Sequence, residues 1–148
     1  MAEKKRILVI DDEPDITMLL SSLLEFHDYV VRTINDPTLV METLENEKFD
    51  LICTDIMMPN LDGFALIKKI KEQEKSKATK LIAVSAKEFS DEEYHFLVDH
   101  KVLIIKKPYN PQCRPDNCRH TIQKSSAIFG ILLDYWRLNL SDSNNSLY

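Results

Sequence analysis

Residues 7–14 read ILVIDDEP, and this stretch decides the fold that the sequence predicts. Its four apolar residues are rich in β-branched side chains, which is typical of a short strand buried on both faces of a parallel sheet. The run ends abruptly in acidic residues, and Pro14 then suits the first turn of a helix. Ile16 and the leucines up to Leu24 repeat behind it at helical spacing. The stretch therefore predicts a unit of strand, acidic turn and helix.

The same unit repeats along the chain. Further predicted strands span residues 29–31, 49–54, 81–84 and 102–105, with helical patterns between them. Asp36-Pro37 is typical of a helix start, and Ser90 with Glu93 predicts a capping box. Strands that alternate with helices predict a doubly wound α/β domain, in which a mostly parallel sheet carries helices on both faces.

The composition is that of an ordinary soluble globular protein. The chain has 148 residues, 44% hydrophobic and 29% charged, which suffices for one domain with a real core. Its net charge of −5 gives no general attraction to nucleic acid or to anionic lipid. No stretch reaches the roughly 18 apolar residues of a membrane span, and the start of the chain lacks a signal peptide's apolar region. Because the three cysteines are too few for a disulfide framework, we expect a cytoplasmic protein.

Polar residues follow the predicted strands at the points where the strands end. Asp11 and Asp12 follow the first strand, Asp55 the third, Ser85 the fourth and Lys107 the fifth. The carboxyl ends of parallel strands meet at one edge of the sheet, where such sheets bind ligands. Three converging carboxylates repel one another unless a cation joins them, and Mg²⁺ suits an all-oxygen set that leaves a position for a phosphate oxygen. The sequence therefore predicts a magnesium site at this edge.

A phosphoryl group fits the same edge. Asp55 is the natural nucleophile, since a carboxylate can attack phosphorus and form an acyl phosphate. Lys107 could pair with one phosphoryl oxygen, and the Ser85 hydroxyl could donate a hydrogen bond to another.

Four motifs make the chain resemble the receiver domain of two-component response regulators. They are ILVIDDE at 7–13, TDIMMPNLDG at 54–63, VSA at 84–86 and KP at 107–108. Each is weak alone, but the four in this order, each at a strand end, are specific. The resemblance covers roughly residues 4–110 and implies a flavodoxin-like sheet of five strands in the order 2-1-3-4-5.

The resemblance also implies roles for the strand-end residues. Asp55 would be the phosphoacceptor, and Ser85 and Lys107 would contact the phosphoryl group. The implied ligands of Mg²⁺ are Asp11, Asp12, Asp55 and the backbone carbonyl of Met57.

The implied partners are proteins. The phosphoryl donor would be a sensor histidine kinase or a histidine phosphotransfer protein, and phosphorylation would shift a population between two forms of an output face that binds a downstream protein. The chain would then be a regulatory phosphoacceptor and not an enzyme, with only slow self-catalysed phosphoryl uptake and hydrolysis.

Two features depart from the family pattern. Ile104 stands three positions before Lys107, where receivers often carry the aromatic residue that couples to the site. Pro111 and Pro115 cannot both sit in one regular helix where the fifth helix is expected. We therefore expect a receiver domain over residues 4–124, atypical from 109, and a C-terminal helical extension with a polar tail over 125–148. The surplus apolar residues of this extension predict a surface for a homodimer or a partner.

Two other functions are compatible with parts of the pattern. A degenerate receiver would act as a phosphorylation-independent interaction or dimerisation domain, as Ile104 and the prolines allow. A haloacid-dehalogenase-type phosphatase also carries a nucleophilic aspartate after a parallel strand, but it needs a second aspartate at the position of Met57. The intact strand-end set favours the phosphoacceptor.

The cysteines near the C-terminus form a weaker pattern. Cys113, Cys118 and His120 could hold a soft metal, but the spacing is not that of a standard zinc site and a fourth ligand is missing.

Overall fold

A computed structural model describes residues 3–59, 61–85 and 88–106 of the chain. Several sequence predictions lie outside these residues: those on Lys107, on the fifth-helix region, on the Cys113, Cys118 and His120 cluster, and on both domain boundaries beyond residue 106. They stay predictions.

Five strands form one parallel sheet within the described residues. They are β1 (Arg6–Ile10), β2 (Val30–Ile34), β3 (Leu51–Asp55), β6 (Lys80–Ser85) and β7 (Val102–Lys106), and they lie in the order β2-β1-β3-β6-β7. Two further strands, β4 (Met57–Met58) and β5 (Leu61–Asp62), pair antiparallel in the turn after β3. Counted without this small ribbon, the strand order is 2-1-3-4-5, so the predicted fold is confirmed.

β2 extends three residues beyond its predicted end. The sequence predicts a strand over 29–31, whereas the strand runs to Ile34. It lies at the edge of the sheet, where Arg32 and Thr33 are exposed to solvent. An apolar run therefore reveals only part of a strand that is not buried on both faces.

The helices in the described residues are α1 (Pro14–Phe26), α2 (Val40–Asn46), α3 (Gly63–Glu72) and α4 (Asp91–Asp99). Side chains cap two of these four helices, at Asp62 before α3 and at Ser90 before α4. The predicted capping box is confirmed, because the Ser90 side chain accepts from the Glu93 backbone N–H and the Glu93 side chain accepts from Ser90 N–H. Asp36 caps a single 3₁₀ turn (Pro37–Leu39) that precedes α2, so its side chain starts this turn and not the helix itself.

The core lies on both faces of the sheet because alternate strand residues point to opposite sides. Leu8, Ile52 and Leu81 belong to one buried cluster with apolar residues of α2, α3 and α4. Their strand neighbours on the other face, including Val9 and Ile82, are also buried, and α1 contacts β1 and β2. Each fully buried aliphatic side chain stabilises the fold by about 1.5–3 kcal/mol. The sheet is therefore covered by helices on both faces, as predicted.

None of the helices in the described residues combines the length and the apolar character that crossing a bilayer requires.

Candidate metal centre

Three carboxylates meet at the carboxyl edge of the sheet. Asp11 and Asp55 are buried, with 3% and 7% of their surface exposed, and Asp12 is half-buried. One carboxylate oxygen from each of the three lies within 4.8 Å of the others. The strand register explains why Asp11 and Asp55 meet, because Ile10 pairs with Thr54 and an aspartate follows each of these two residues.

A hydrogen-bond network holds Asp11 in place. Its backbone N–H donates to the carbonyl of Ile34 at 3.2 Å, and its Oδ1 accepts from the backbone N–H of Glu13 at 3.0 Å. Asn35 Nδ2 donates to the Asp11 carbonyl and to Thr17 Oγ1, both at 2.9 Å. Asn35 therefore joins the end of β2 to the acidic turn and to the first helical turn behind it.

The backbone fixes the orientation of Asp55. Its Oδ1 accepts from the backbone N–H of Met57 at 2.9 Å, so the turn after β3 restrains the carboxylate. The hydroxyl of the fully buried Thr54 donates to the Asp55 carbonyl at 2.9 Å. A Cβ atom at Gly63 would lie 2.6 Å from both Cα and the carbonyl oxygen of Ile56, so the start of α3 packs directly on the residue after Asp55. The Asp55 side chain, the end of β3 and the start of α3 therefore restrain one another through close contacts.

The surroundings of Asp12 disfavour its charged form. Partial burial raises the pKa of Asp12, and a hydrogen bond with Asp11, the charge of Asp11 and the charge of Asp55 raise it further. Only the backbone hydrogen bond at Asp12 acts in the opposite direction. A cation at this edge would remove the repulsion.

The donor set suits a hard divalent cation. The cluster offers carboxylate oxygens from Asp11, Asp12 and Asp55, with no nitrogen or sulfur ligand among its members in the described residues. Mg²⁺ prefers oxygen ligands and is often held by one or two carboxylates with several waters. The residues that are present therefore fit Mg²⁺.

The other predicted site residues lie near this edge or beyond the described part of the chain. Ser85 ends β6, one residue past the Val84 that pairs with Asp55, and it is fully buried. The backbone of Met57 lies in the turn next to Asp55, and the residue is 58% exposed. Lys107 lies outside the described residues, and the strand before it ends at Lys106, paired with Ser85.

The structure adds residues that the sequence argument missed. Asn35 and Thr17 brace the acidic turn, and Gly63 allows the close approach to Ile56. Asn35 directly follows β2, so the strand-end pattern could have found it if the end of β2 had been predicted correctly.

Known proteins resemble this chain in sequence. The family model described as "Response regulator receiver domain" matches residues 7–113. The nisin biosynthesis regulatory protein NisR of Lactococcus lactis subsp. lactis is 34% identical over 105 residues, which are 71% of this chain and 44% of that protein. The sensor protein EvgS of Escherichia coli K12 is 37% identical over 76 residues, which are 51% of this chain and 6% of that protein. The chain thus spans less than half the length of these curated relatives.

Solved structures resemble the chain along most of its length. The chemotaxis response regulator CheY4 of Vibrio cholerae matches with a TM-score of 0.65 and 25% identity, covering 82% of this chain and 98% of that one. A CheY-like receiver domain protein of Methanospirillum hungatei JF-1 matches with a TM-score of 0.65 and 27% identity, covering 90% and 99%. The parallel sheet and its strand order are therefore those of the CheY-like flavodoxin fold.

Proposed function

The chain belongs to the response regulator receiver domain family, and on this premise we propose that it is the phosphoacceptor switch of a two-component system. In this proposal Asp55 takes a phosphoryl group from a sensor histidine kinase or a histidine phosphotransfer protein. The observation that carries it is the meeting of Asp55 with Asp11 and Asp12 within 4.8 Å at the carboxyl edge of the sheet. That arrangement combines a nucleophile with an oxygen-ligand set for the cation that phosphoryl transfer uses.

Asp55 performs the covalent step in this proposal. A carboxylate oxygen of Asp55 attacks the phosphorus of the donor's phosphohistidine, and a P–O bond forms while the P–N bond breaks. The leaving imidazole keeps the electron pair and takes up a proton. The Met57 N–H restrains Oδ1, so the carboxylate enters the reaction already oriented.

The magnesium ligands are proposed from the acidic edge. Asp11, Asp12, Asp55 and the backbone carbonyl of Met57 would hold Mg²⁺. When bound, Mg²⁺ neutralises charge that develops on the phosphoryl oxygens. Asp11 is restrained through Glu13 N–H and Asn35, so the turn needs little rearrangement to provide its carboxylate.

Ser85 and Lys107 are proposed to stabilise the phosphoryl group itself. The Ser85 hydroxyl would donate a hydrogen bond to one oxygen, and the Lys107 ammonium would pair with another. Burial of Ser85 at the end of β6 supports this role, because a hydrogen bond that is shielded from water is stronger.

The proposed output is protein binding in the cytoplasm. We do not expect the domain to hydrolyse the phosphoryl groups of other molecules as a phosphatase does. The position two residues after Asp55 holds Met57, whose side chain has no proton to exchange and cannot act as an acid or base. Phosphorylation would instead bias the domain toward the form that binds a downstream protein.

The test is phosphoryl uptake from a small donor. The protein is incubated with acetyl phosphate and Mg²⁺, and its intact mass is recorded beside that of Asp55→Asn. Asp99→Asn, an exposed aspartate on α4, is the matched control, and a chelator tests the metal. We expect one added phosphoryl group in the wild type and in Asp99→Asn, and none in Asp55→Asn or with chelator. Absence of uptake in every sample would favour the phosphorylation-independent interaction domain.

A further inference from the structure

The outer edge of β2 is open in the part of the chain that the structure describes. Among the described strands, β1 is the only neighbour of β2, and four of the five residues of β2 are not buried. The Val30 N–H donates at 3.0 Å to the carbonyl of Lys5, the residue that precedes β1. Because the backbone groups of a strand alternate in direction, those of Val31 and Thr33 point away from β1. They face the position that an additional strand would take.

A groove lies beside this edge, at the amino end of the sheet. Its volume is about 360 Å³, and it is lined by Arg6, residues 30–33, Glu47 and Phe49. We call it the arginine groove. Arg6 and Val30 begin their strands, whereas Asp55 ends β3, so the groove lies at the end of the sheet opposite to the candidate metal centre. None of the proposed phosphoryl-transfer steps uses its residues.

Two guanidinium groups share one carboxylate in the arginine groove. Glu47 accepts from Arg6 Nη2 through Oε2 at 2.5 Å and pairs with Arg32 Nη1 through Oε1 at 2.9 Å. The nearby Asp50 carboxylate accepts from the backbone N–H of Arg6 and pairs with Lys5. In the described residues no other acidic side chain forms an ion pair with either arginine. The groove therefore holds one positive charge in excess, with guanidinium donors left for a further acceptor.

The two guanidinium groups are restrained before any ligand arrives. The guanidinium carbon of Arg6 lies 5.2 Å from the centroid of the buried Phe49 ring, a distance suited to a cation–π contact. The Glu47 carboxylate joins the guanidinium of Arg32 to that of Arg6. An incoming anion therefore meets side chains that have already lost part of their freedom, which lowers the entropic cost of binding.

We propose that an acidic segment of a partner protein adds to β2 as a sixth strand of the sheet. Its backbone would pair with that of Val31 and Thr33, as in other strand additions to an exposed edge. Every second side chain of the added strand would lie on the same face of the sheet as Arg32. Acidic side chains at those positions would meet the guanidinium groups, which carry the excess positive charge.

Charge selects this occupant over a second copy of the chain. β2 reads VVRTI, with one arginine and no acidic residue. Pairing of two β2 strands would bring the arginines of both copies to one edge, and like charges across a strand pair are destabilising. The edge favours a peptide over an isolated anion, because a peptide pairs with backbone donors and acceptors alike. The proposal does not depend on phosphoryl transfer to Asp55.

The test uses a short acetylated peptide of alternating threonine and glutamate, whose glutamates share one face of a strand. Its binding to the full chain is followed by amide NMR signals and by amide hydrogen exchange. We expect slower exchange at the amides of Val31 and Thr33, and little change at Val30, whose N–H already donates to Lys5. Strand pairing produces this alternation, whereas a contact between charges alone does not.

Two control peptides separate charge from backbone pairing. Replacement of every glutamate by glutamine should weaken binding about three- to fivefold, as expected for ion pairs that remain partly exposed. Methylation of the backbone nitrogens removes the donors that pair with β2 and should abolish binding.

Protein variants test the same two contributions. Arg32→Gln should weaken binding of the glutamate peptide about three- to fivefold and leave that of the glutamine peptide unchanged. Lys68→Gln is the matched control, because it also removes one exposed cation that pairs with a glutamate, Glu72 on α3, and it should bind like the wild type. Thr33→Pro removes an outward N–H from an edge strand, where proline is tolerated, and should bind neither peptide.

Equal affinities for the glutamate and glutamine peptides, or binding that survives methylation, would overturn the proposal. If inorganic pyrophosphate reproduced the NMR shifts of the peptide, the groove would be a site for isolated anions and the strand addition would be wrong. Phosphoryl uptake from acetyl phosphate tests the proposed function separately. A chain that takes up phosphate but binds no peptide would therefore refute the strand addition alone.

Discussion

A Cβ atom at Gly63 would lie 2.6 Å from the Cα and the carbonyl oxygen of Ile56. Real Cβ atoms do not approach backbone atoms so closely, and backbone cannot turn aside as a flexible side chain can. The start of α3 therefore lies on the residue that follows Asp55, and the position of the Asp55 carboxylate depends on the absence of a side chain at Gly63.

Gly63→Ala should destabilise the fold. The added methyl group must push α3 away from Ile56, which typically costs about 1–3 kcal/mol in a packed site. The better helix propensity of alanine offsets at most about 1 kcal/mol of this destabilisation. Chemical denaturation measures the free energy of unfolding, with Lys69→Ala on the exposed side of α3 as a control that should stay within about 0.5 kcal/mol of the wild type. Equal stabilities of Gly63→Ala and the control would show that the close approach is not restrictive.

Asn35→Ala should weaken both the fold and the proposed binding of Mg²⁺. The amide donates to the Asp11 carbonyl and to Thr17 Oγ1, so its loss frees the acidic turn. We expect a loss of about 1–2 kcal/mol in stability, and a decrease in Mg²⁺ affinity of roughly tenfold or more, as for other residues that orient metal ligands. Calorimetric titration with Mg²⁺ measures the affinity.

Asn46→Ala is the matched control for this variant. Asn46 also donates its Nδ2 to a backbone carbonyl at 2.9 Å, that of Glu42, at the exposed end of α2. Its loss should leave Mg²⁺ binding unchanged. If the two variants bound Mg²⁺ equally well, Asn35 would have only a structural role.

The strands that are buried on both faces could be predicted from the sequence, and with them most of the candidate site. The run of residues 7–10 is apolar throughout, and it is followed by Asp11 and Asp12, which the structure brings together with Asp55 at the carboxyl edge. β2 was predicted too short because Arg32 and Thr33 face solvent at the sheet edge, so hydrophobicity does not mark them. Asn35 was missed for the same reason.

Contacts between distant elements could not be predicted from local patterns. The ring contact of Phe64 with Phe96 joins α3 to α4, and the distance between Gly63 and Ile56 depends on how α3 packs. Propensity and periodicity describe one element at a time, whereas these contacts depend on the angles at which elements meet.

Lys71 makes the free energy of unfolding depend on pH in the alkaline range. Partial burial lowers the pKa of this lysine from its ordinary 10.5, and the nearby positive charge of Lys101 lowers it further. Between the folded pKa and 10.5 the unfolded chain binds more protons than the folded one, so this group makes stability rise with pH in that window. Below the window both states are protonated, and the cost of burying the charge is fully present.

Lys71→Met removes that cost and should therefore be more stable than the wild type near neutral pH, by an amount that shrinks as pH approaches 10.5. Chemical denaturation at a series of pH values in this range gives the free energy of unfolding of the variant and of the wild type. Alkaline effects that both proteins share cancel in the difference between the two free energies. Lys69→Met supplies the comparison, because it makes the same replacement at an exposed position of the same helix. A Lys71→Met difference that is independent of pH would mean that Lys71 keeps its full hydration in the fold. It would then act only through its hydrogen bond to the Thr79 carbonyl.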